Sequence, residues 1–300
     1  MKLSIFGTSK IIHHHIKAAK NNSFEIFSIC TSNKNSKNIK KIAKKYQIKK
    51  IYYNWKLFIE NSYQNKSSVL IAGRIKDNKK VLSYCLKHNL KVLIEKPIFI
   101  KDNEFNDFLV FKKNIFLAYN RIYYQNILKI KKIIEKEAPN NIYIKCPESN
   151  IKNIALNTCH IISIVYHLIG KLTLIKKIKN RDSIFCIFKS KKKIPVYIHV
   201  NFGAPDNFSF EFNFKKIRAT LNPIEELTIF DKLIKKKYKN NNIYHPNISE
   251  TINEYKLSKF KPGFNLQYLN FNKFLRNQKS QFINISDARE IVSICNKITN

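Results

Sequence analysis

The first 120 residues alternate short apolar runs with amphipathic stretches. Strands are predicted at Lys2–Phe6, Phe24–Cys30, Lys50–Tyr53, Ser68–Ala72, Val92–Ile94 and Ile115–Ala118. Helices are predicted between them, at Ile11–Lys20, Ile39–Tyr46, Trp55–Asn61 and Asp77–Asn89. This alternation predicts an α/β domain of the Rossmann type, with a doubly wound parallel sheet that binds ligands beyond the carboxyl ends of its strands.

After residue 120 the pattern changes. Helices are predicted at Ile127–Lys136, Cys159–Ile169 and Ser286–Thr299, the last with Ser286 as candidate N-cap. Strands follow one another at 141–147, 172–178, 183–188, 195–202, 208–214, 217–221 and 227–230, and Lys235–Asn242 is predicted as a mobile basic loop. Successive strands with short turns predict an α+β domain with a mostly antiparallel sheet. We therefore expect a dinucleotide-binding domain at residues 1–120 and a substrate-binding and dimerisation domain at 121–300, whose final helix can pack back on the first domain.

The composition changes this picture only in part. The chain has 300 residues, is 44% hydrophobic and carries a formal charge of +36, which by itself suggests nucleic acid or an anionic membrane as a partner. Only six of the 56 cations are Arg, the side chain that best reads bases and phosphates. Because Lys, Asn and Ile share A/T-rich codons, a coding bias explains the charge, and we expect an anionic small-molecule substrate and no nucleic-acid partner.

The location of the protein is also an expectation from the sequence. No uncharged apolar stretch reaches the roughly 18 residues that a membrane helix needs, and the six cysteines are scattered without a CxxC pair. We expect a cytoplasmic protein with reduced thiols and no insertion into a membrane.

The turn after the first strand is the first candidate for chemistry. Its residues are Gly7, Thr8, Ser9, Lys10 and Ile11. A dinucleotide site uses G-x-G-x-x-G here, so that backbone N–H groups approach a pyrophosphate, and only Gly7 of that pattern is present. The alternative is an ordinary tight turn between strand and helix.

Two further motifs carry ionisable side chains. Glu95-Lys96-Pro97 ends a buried strand, which places a lysine at the ligand side of the sheet, where it can hydrogen-bond a substrate hydroxyl. Asn157-Thr158-Cys159-His160 opens a helix, whose positive end favours the neutral imidazole that acts as a general acid or base. The alternatives are a frayed strand end and a structural histidine.

Together these segments resemble the Gfo/Idh/MocA family of NAD(P)-dependent oxidoreductases. The best-matched pieces are VLIEKPI (92–98), AYNRIYY (118–124), NTCHIISIVYHLIG (157–170), LNPIEEL (221–227) and KPGFNLQ (261–267). They look most like a short branch of the family found in bacterial surface-polysaccharide gene clusters. The resemblance implies hydride transfer between a nicotinamide cofactor and a hydroxyl or ketone of a sugar or nucleotide sugar, by a homodimer or higher homo-oligomer.

The resemblance also implies roles for individual residues. Lys96 and His160, with Asn157, match the catalytic positions, and Tyr123 or Tyr124 would line the substrate cleft. His15 matches a frequent histidine of the first helix, and the His13–His15 triplet is interpreted as incidental, with no metal site. The predicted cofactor-binding residues are Gly7, Thr8, Ser9, Lys10, Ile11, Thr31, Ser32, Lys34, Ala72, Gly73, Arg74, Asn78, Glu95, Lys96, Asn120 and Arg121.

The chain departs from the family pattern at four places. The family usually has Gly where Ser9 stands, and Thr-Pro or Asn-Pro where Gly73-Arg74 stand. It often has His in place of Asn78, and it usually has Asp in place of Ser163. Because of these departures, a catalytically inactive relative of the family remains an alternative. Because of the high positive charge, a nucleic-acid-binding protein remains a second one. The turn after the second strand has no acid for a ribose 2′-hydroxyl, whereas Ser32 and Lys34 suit a 2′-phosphate, so NADP is favoured over NAD.

Overall fold

The computed structural model describes residues 1–239, 241–257 and 260–300. They form two compact units: unit 1 consists of Met1–Tyr123 and Phe260–Ser293, and unit 2 of Tyr124–Lys259 and Ile294–Asn300. The units therefore do not follow chain order. Where the sequence analysis assigns everything after residue 120 to the second domain, residues 260–293 are part of unit 1.

Unit 1 is built on a six-stranded sheet in the order β3-β2-β1-β4-β5-β6. Every neighbouring pair is parallel, and the strand order reverses direction between β1 and β4, where such sheets bind ligands. The predicted Rossmann fold is thus confirmed. The strands are β1 (Lys2–Phe6), β2 (Glu25–Cys30), β3 (Lys50–Tyr52), β4 (Ser68–Ile71), β5 (Val92–Glu95) and β6 (Ile115–Ala118).

The helices of unit 1 lie within one or two residues of their predicted starts. They are α1 (Ile12–Asn21), α2 (Lys37–Tyr46), α3 (Trp55–Gln64) and α4 (Ile75–Lys87), with 3-10 helices at Asp102–Phe111 and Asn120–Tyr123. Asn54 caps α3, because its side-chain oxygen accepts a hydrogen bond from the backbone N–H of Lys56 at 2.9 Å.

Unit 2 contains an eight-stranded sheet and the remaining helices. Its strands lie in the order β14-β13-β12-β11-β7-β10-β9-β8, and all pairs are antiparallel except β7 with β10. The strands are β7 (Asn141–Glu148), β8 (Leu172–Lys179), β9 (Ser183–Ser190), β10 (Pro195–Phe202), β11 (Ser209–Asn213), β12 (Arg218–Leu221), β13 (Glu226–Tyr238) and β14 (Asn241–Asn253). The helices are α5 (Gln125–Lys136), α6 (Cys159–Ile169) and the short α7 (Glu254–Leu257), and a π-helical turn covers Ile154–Thr158. The predicted α+β fold with a mostly antiparallel sheet is confirmed.

The chain returns to unit 1 through α8 (Phe264–Leu275), which the sequence analysis did not predict; α9 (Ile285–Thr299) follows it. Phe271 and Phe274 of α8 pack on Phe116 of β6, with ring centroids 5.4 and 5.6 Å apart. Lys91 donates hydrogen bonds to the last carbonyls of α8, those of Phe274 and Leu275, at 3.2 and 3.1 Å. Aromatic burial and a cation at the negative helix end together attach α8 to the sheet.

Two local predictions are wrong. Residues 235–242, predicted as a mobile loop, belong to the hairpin of β13 and β14, in which Lys235 pairs with Tyr244 and Lys237 with Asn242; Asn240 lies outside the described residues. The N-cap of α9 is not Ser286, since Asn284 accepts the backbone N–H of Ser286 at 2.8 Å and that of Asp287 at 3.0 Å.

The six cysteines are all buried, and none of them forms a disulfide. Among the described residues, no helix combines the length and the apolar character needed to cross a membrane.

The half-buried His167 gives unit 2 a pH dependence. Burial, together with the charge of Lys131, lowers the pKa of His167 to about 4, and the Lys131 Nζ lies 3.2 Å from its Nε2. Below pH 6.5 the unfolded chain takes up a proton at this position while the folded chain does not, so stability falls as the pH drops towards 4.

We predict that the wild type loses up to about 2 kcal/mol more than a His167→Gln variant between pH 7.5 and pH 5. Urea unfolding of both proteins at the two pH values measures the difference. An equal loss in the two proteins would contradict the assignment to His167.

Candidate functional site

The turn after β1 is held by a close backbone approach. Gly7 has a φ of +133°, and a Cβ on it would lie 2.4 Å from the carbonyl oxygen of Ala72. Its own N–H donates to the Cys30 carbonyl at 2.9 Å. Only glycine allows β1 and β4 to end so close together, which is the requirement that the first glycine of a dinucleotide motif meets.

An open cavity of about 640 Å³ lies at this edge of the sheet. Eight of the predicted cofactor-binding residues line it: Gly7, Thr8, Ser9, Thr31, Ser32, Ala72, Gly73 and Arg74. The sequence analysis missed Asn33, Ser36, Asn38 and Asp77, which also line it. Of the residues described around the cavity, Asp77 is the one acid, and it belongs to α4 rather than to the turn after β2.

The backbone of residues 8–11 is available to a ligand. In the part of the chain that the structure describes, these four residues donate no hydrogen bond to another backbone group, whereas Ile12 and His13 donate to Ser9 and Lys10 at 3.1 and 3.3 Å. Unused N–H groups at the start of a helix favour an anion. Ile12 itself is fully buried, so its bulk is accommodated in the core and not in the cavity.

The departure at residue 73 has a steric cause. A Cβ on Gly73 would lie 2.6 Å from Cε1 of Phe6, the last residue of β1. Phe6 is 2% exposed, so its ring occupies the space into which a larger residue 73 would extend. Phe6 and Gly73 therefore form a compensating pair, and the family's usual residue does not fit here.

Glu95 and Lys96 stand at the carboxyl end of β5, the neighbour of β4 in the sheet. Both are half-buried. The Nε2 of His15 lies 2.7 Å from Glu95 Oε1, and the Nδ1 of His15 lies 3.0 Å from the hydroxyl of Tyr268. His15 is fully buried, so this part of the predicted site is supported by hydrogen bonds among three polar side chains, and the sequence analysis did not identify Tyr268 as one of them.

The other predicted residues of unit 1 are placed as follows. Asn78 is 3% exposed, and its Oδ1 has no hydrogen-bond partner among the described residues. Asn120 donates to the Pro262 carbonyl at 3.0 Å, and Tyr123 donates to the Gln281 carbonyl at 2.6 Å. Lys10 and Lys34 are exposed, and Ile11 and Arg121 are half-buried. Eight of the predicted cofactor-binding residues are not among the described residues that line the cavity: Lys10, Ile11, Lys34, Asn78, Glu95, Lys96, Asn120 and Arg121.

In unit 2, the segment before α6 is fixed by a buried carboxylate. Glu148, the last residue of β7, is 5% exposed. It accepts hydrogen bonds from the hydroxyl of Thr158 at 2.6 Å and from the amide of Asn157 at 3.2 Å. The sequence analysis did not identify Glu148, because ten residues separate it from Thr158.

His160 lies in the first turn of α6 and is half-buried. Its carbonyl accepts the hydroxyl of Ser163 at 2.7 Å, so Ser163, one of the departures from the family pattern, has a local structural role. Tyr124 of the same unit is 3% exposed.

Two observations in unit 1 fit a dinucleotide. The cradle at Gly7 would be filled by a Cβ, and the N–H groups of residues 8–11 beside it donate to no other backbone group in the described chain. No group of three or more His, Cys, Asp and Glu side chains suitable for a metal was found in the described part of the chain.

Comparison with known proteins agrees with this geometry. Residues 1–113 match the family model described as the oxidoreductase family with an NAD-binding Rossmann fold, GFO_IDH_MocA. This match spans 113 of the 300 residues, so the first part of the chain is similar to the Gfo/Idh/MocA oxidoreductases. The matched model is that of an NAD-binding Rossmann fold, so the family resemblance drawn from the motifs is confirmed for these residues, and the short surface-polysaccharide branch stays a prediction.

Solved structures show the same fold over both units. A putative NADPH-dependent oxidoreductase from Desulfitobacterium hafniense superimposes with a TM-score of 0.81 at 10% identity, covering 100% of this chain and 94% of that one. UDP-N-acetylglucosamine 3-dehydrogenase GnnA from Acidithiobacillus ferrooxidans gives a TM-score of 0.75 at 9% identity, covering 99% and 96%. Among curated sequences, the endoribonuclease YbeY of Buchnera aphidicola is 29% identical over 158 residues, or 52% of this chain and 88% of that protein; this level of similarity does not show a shared family.

The approach of the backbone at Gly7 leads to a test. We predict that Gly7→Ala destabilises unit 1 by more than about 2 kcal/mol, because the new methyl group collides with a carbonyl that cannot rotate away. It also abolishes NADPH binding. Urea unfolding and the fluorescence of bound NADPH measure the two effects.

Gly203→Ala is the matched control, since Gly203 also has a positive φ, of +75°, but its Cβ would meet nothing within 4 Å. It should cost about 1 kcal/mol and leave NADPH binding unchanged. Normal NADPH binding by Gly7→Ala would contradict the assigned cradle.

Proposed function

We propose that this protein transfers a hydride between NADP and a hydroxyl or ketone of a sugar or nucleotide sugar. The observation that carries the proposal is the glycine-cradled cavity at the strand-order reversal, next to a strand that ends in Glu95-Lys96. The family supports the oxidoreductase class.

The roles of the side chains follow from their chemistry. When bound, the nicotinamide ring supplies a hydride acceptor or donor. The Lys96 ammonium donates a hydrogen bond to the reacting substrate oxygen and stabilises negative charge that develops on it. The proton of the hydroxyl passes to the imidazole of His160 during oxidation and returns from it during reduction.

Asn157 and Glu148 support His160 in this proposal. The buried Glu148 carboxylate holds both Asn157 and Thr158, so the turn from which α6 starts has a defined position. A general acid or base that is fixed in this way loses little conformational entropy when it meets its substrate.

The cofactor preference rests on the turn after β2. Residues 31–38 contain no acid, and Thr31, Ser32, Asn33, Ser36 and Asn38 present polar side chains to the cavity. A carboxylate at this turn would bind the 2′-hydroxyl of NAD and repel the 2′-phosphate of NADP. Hydroxyls and amides, with Lys34 nearby in the chain, favour NADP.

The substrate class rests on charge and on resemblance. A field from +36 charges attracts a nucleoside diphosphate, and the GnnA structure belongs to a dehydrogenase of UDP-N-acetylglucosamine. The surface-polysaccharide branch that the motifs resemble works on activated sugars. We therefore place the reaction in the biosynthesis of a surface polysaccharide, in the cytoplasm.

The outer face of the unit 2 sheet supports a homodimer. Tyr143, Phe185 and Tyr197 stand on three neighbouring strands, with ring centroids 4.6 Å apart for Tyr143 and Tyr197 and 6.3 Å for Phe185 and Tyr197. Tyr143 is 45% exposed. Phe185 and Tyr197 are half-buried beside it. A contiguous aromatic cluster that reaches solvent on a sheet is typical of a protein interface, and a second copy is the partner that we propose.

The catalytic assignment is tested with Lys96→Met and UDP-N-acetylglucosamine among a panel of nucleotide sugars. We expect the kcat for NADP reduction to fall at least about 100-fold, because the charge that stabilises the substrate oxygen is lost. NADPH absorbance measures the rate, and NADPH fluorescence measures binding.

Lys113→Met is the control, since it removes one exposed lysine outside the site and should leave kcat unchanged. A Lys96→Met protein with full kcat would rule out the assignment. Absence of NADPH binding by the wild type would favour the inactive relative, and strong, salt-sensitive binding to RNA or DNA would favour a nucleic-acid-binding protein.

The cofactor preference is tested with the double variant Ser32→Asp, Lys34→Ala. We predict that its affinity for NADPH falls about 10-fold relative to its affinity for NADH, since a carboxylate replaces groups that favour a phosphate. Lys41→Ala, which removes an exposed charge from α2, is the control. An unchanged ratio of the two affinities would show that the preference is wrong.

A further inference from the structure

His15 connects three parts of unit 1 that are distant in sequence. It lies on α1, directly after the turn of residues 7–11. Its ring meets Glu95 at the end of β5 and Tyr268 on α8. The ring also packs against Phe264, with centroids 5.0 Å apart in an edge-to-face arrangement.

The hydrogen-bond partners fix the tautomer of His15. An ionised carboxylate only accepts hydrogen bonds, so the proton must be on Nε2, which then donates to Glu95 Oε1 at 2.7 Å. The Nδ1 lies 3.0 Å from the hydroxyl of Tyr268, and a ring that carries its single proton on Nε2 accepts the hydroxyl proton there. Both ring nitrogens are thereby satisfied in a position that is fully buried.

The carboxylate that His15 holds is the residue before Lys96. The Glu95 side chain is 21% exposed, so it stands between the buried ring and the ligand side of the sheet. Tyr268 is fully buried, and burial with the charge of Glu95 raises the pKa of its hydroxyl well above its usual value. Tyr268 therefore keeps its hydroxyl proton and can donate it to His15, and the hydrogen-bond chain ends on the Glu95 carboxylate.

We propose that His15 is a positioning residue, which with Tyr268 orients the Glu95 carboxylate and thereby holds the Glu95-Lys96 turn in place for the cofactor. This inference rests on the proposed function. It links two elements at the carboxyl edge of the sheet, because α1 begins after the turn of residues 7–11 and β5 ends at Glu95, directly before Lys96.

Two substitutions separate positioning from packing. His15→Gln places an amide nitrogen near the former Nε2 and keeps the donor to Glu95. His15→Asn is shorter, keeps a polar partner for Tyr268 and loses the contact with Glu95. We expect His15→Asn to bind NADPH about 10-fold more weakly than the wild type and His15→Gln within about 3-fold of it, under conditions in which each variant is fully folded by circular dichroism.

The control is His13→Asn. His13 also accepts or donates one hydrogen bond to a tyrosine, with 3.0 Å between its Nδ1 and the Tyr46 hydroxyl, but it is half-buried and contacts no carboxylate among the described residues. NADPH affinity should be unchanged in this variant.

Nitrogen NMR of the histidine rings provides a second readout. We expect the His15 ring to carry a proton on Nε2, where it faces Glu95, and to retain it in Tyr268→Phe, which loses the hydrogen bond at Nδ1. A proton on Nδ1, an equal loss of NADPH affinity in both His15 variants, or no loss in either would overturn the positioning role. A wild type that does not bind NADPH would overturn the proposed function as well, whereas normal binding by His15→Asn overturns this inference alone.

Discussion

The carboxyl edge of the parallel sheet requires glycine at position 7, because no other residue lacks a Cβ. There β1 and β4 end so close together that one additional carbon atom would lie 2.4 Å from a carbonyl oxygen. This approach opens the cavity, leaves the amides of residues 8–11 available and starts α1 in the direction that brings His15 to Glu95. Phe6 and Gly73 adjust to the same constraint, since the ring of one fills the space that the other leaves empty.

The parallel sheet was predictable because its strands are covered on both faces. The runs in β4 and β6 are buried at every position, so their uninterrupted apolar pattern identified them. The start of β13 was predicted as a strand at 227–230, whereas the rest of the hairpin of β13 and β14 was not predictable, since its lysines and asparagines are typical of a loop. Its strands are held by backbone pairing along their length, which side-chain polarity does not report.

The candidate site was predictable only where it follows the chain. Gly7, Thr31 and Ala72 could be placed because each comes directly after a strand, and parallel strands end at a common edge. The bond between His15 and Tyr268 joins residues 253 positions apart. The helix α8 was missed although Phe264, Tyr268, Phe271 and Phe274 recur at helical spacing. Glu148 was missed because its partners come from a turn whose geometry the sequence does not specify.

Because residues 260–293 return to unit 1, the order of synthesis affects how this unit folds on the ribosome. A ribosome releases residues 1–123 first, yet the aromatic side chains that cover Phe116 and Phe24 come from α8. Until α8 emerges, that apolar surface stays exposed to water and to other nascent chains, although domains usually fold as they leave the ribosome. The nucleotide-binding half is therefore translated first and completed late, after most of unit 2, which makes the nascent chain a natural client for chaperones.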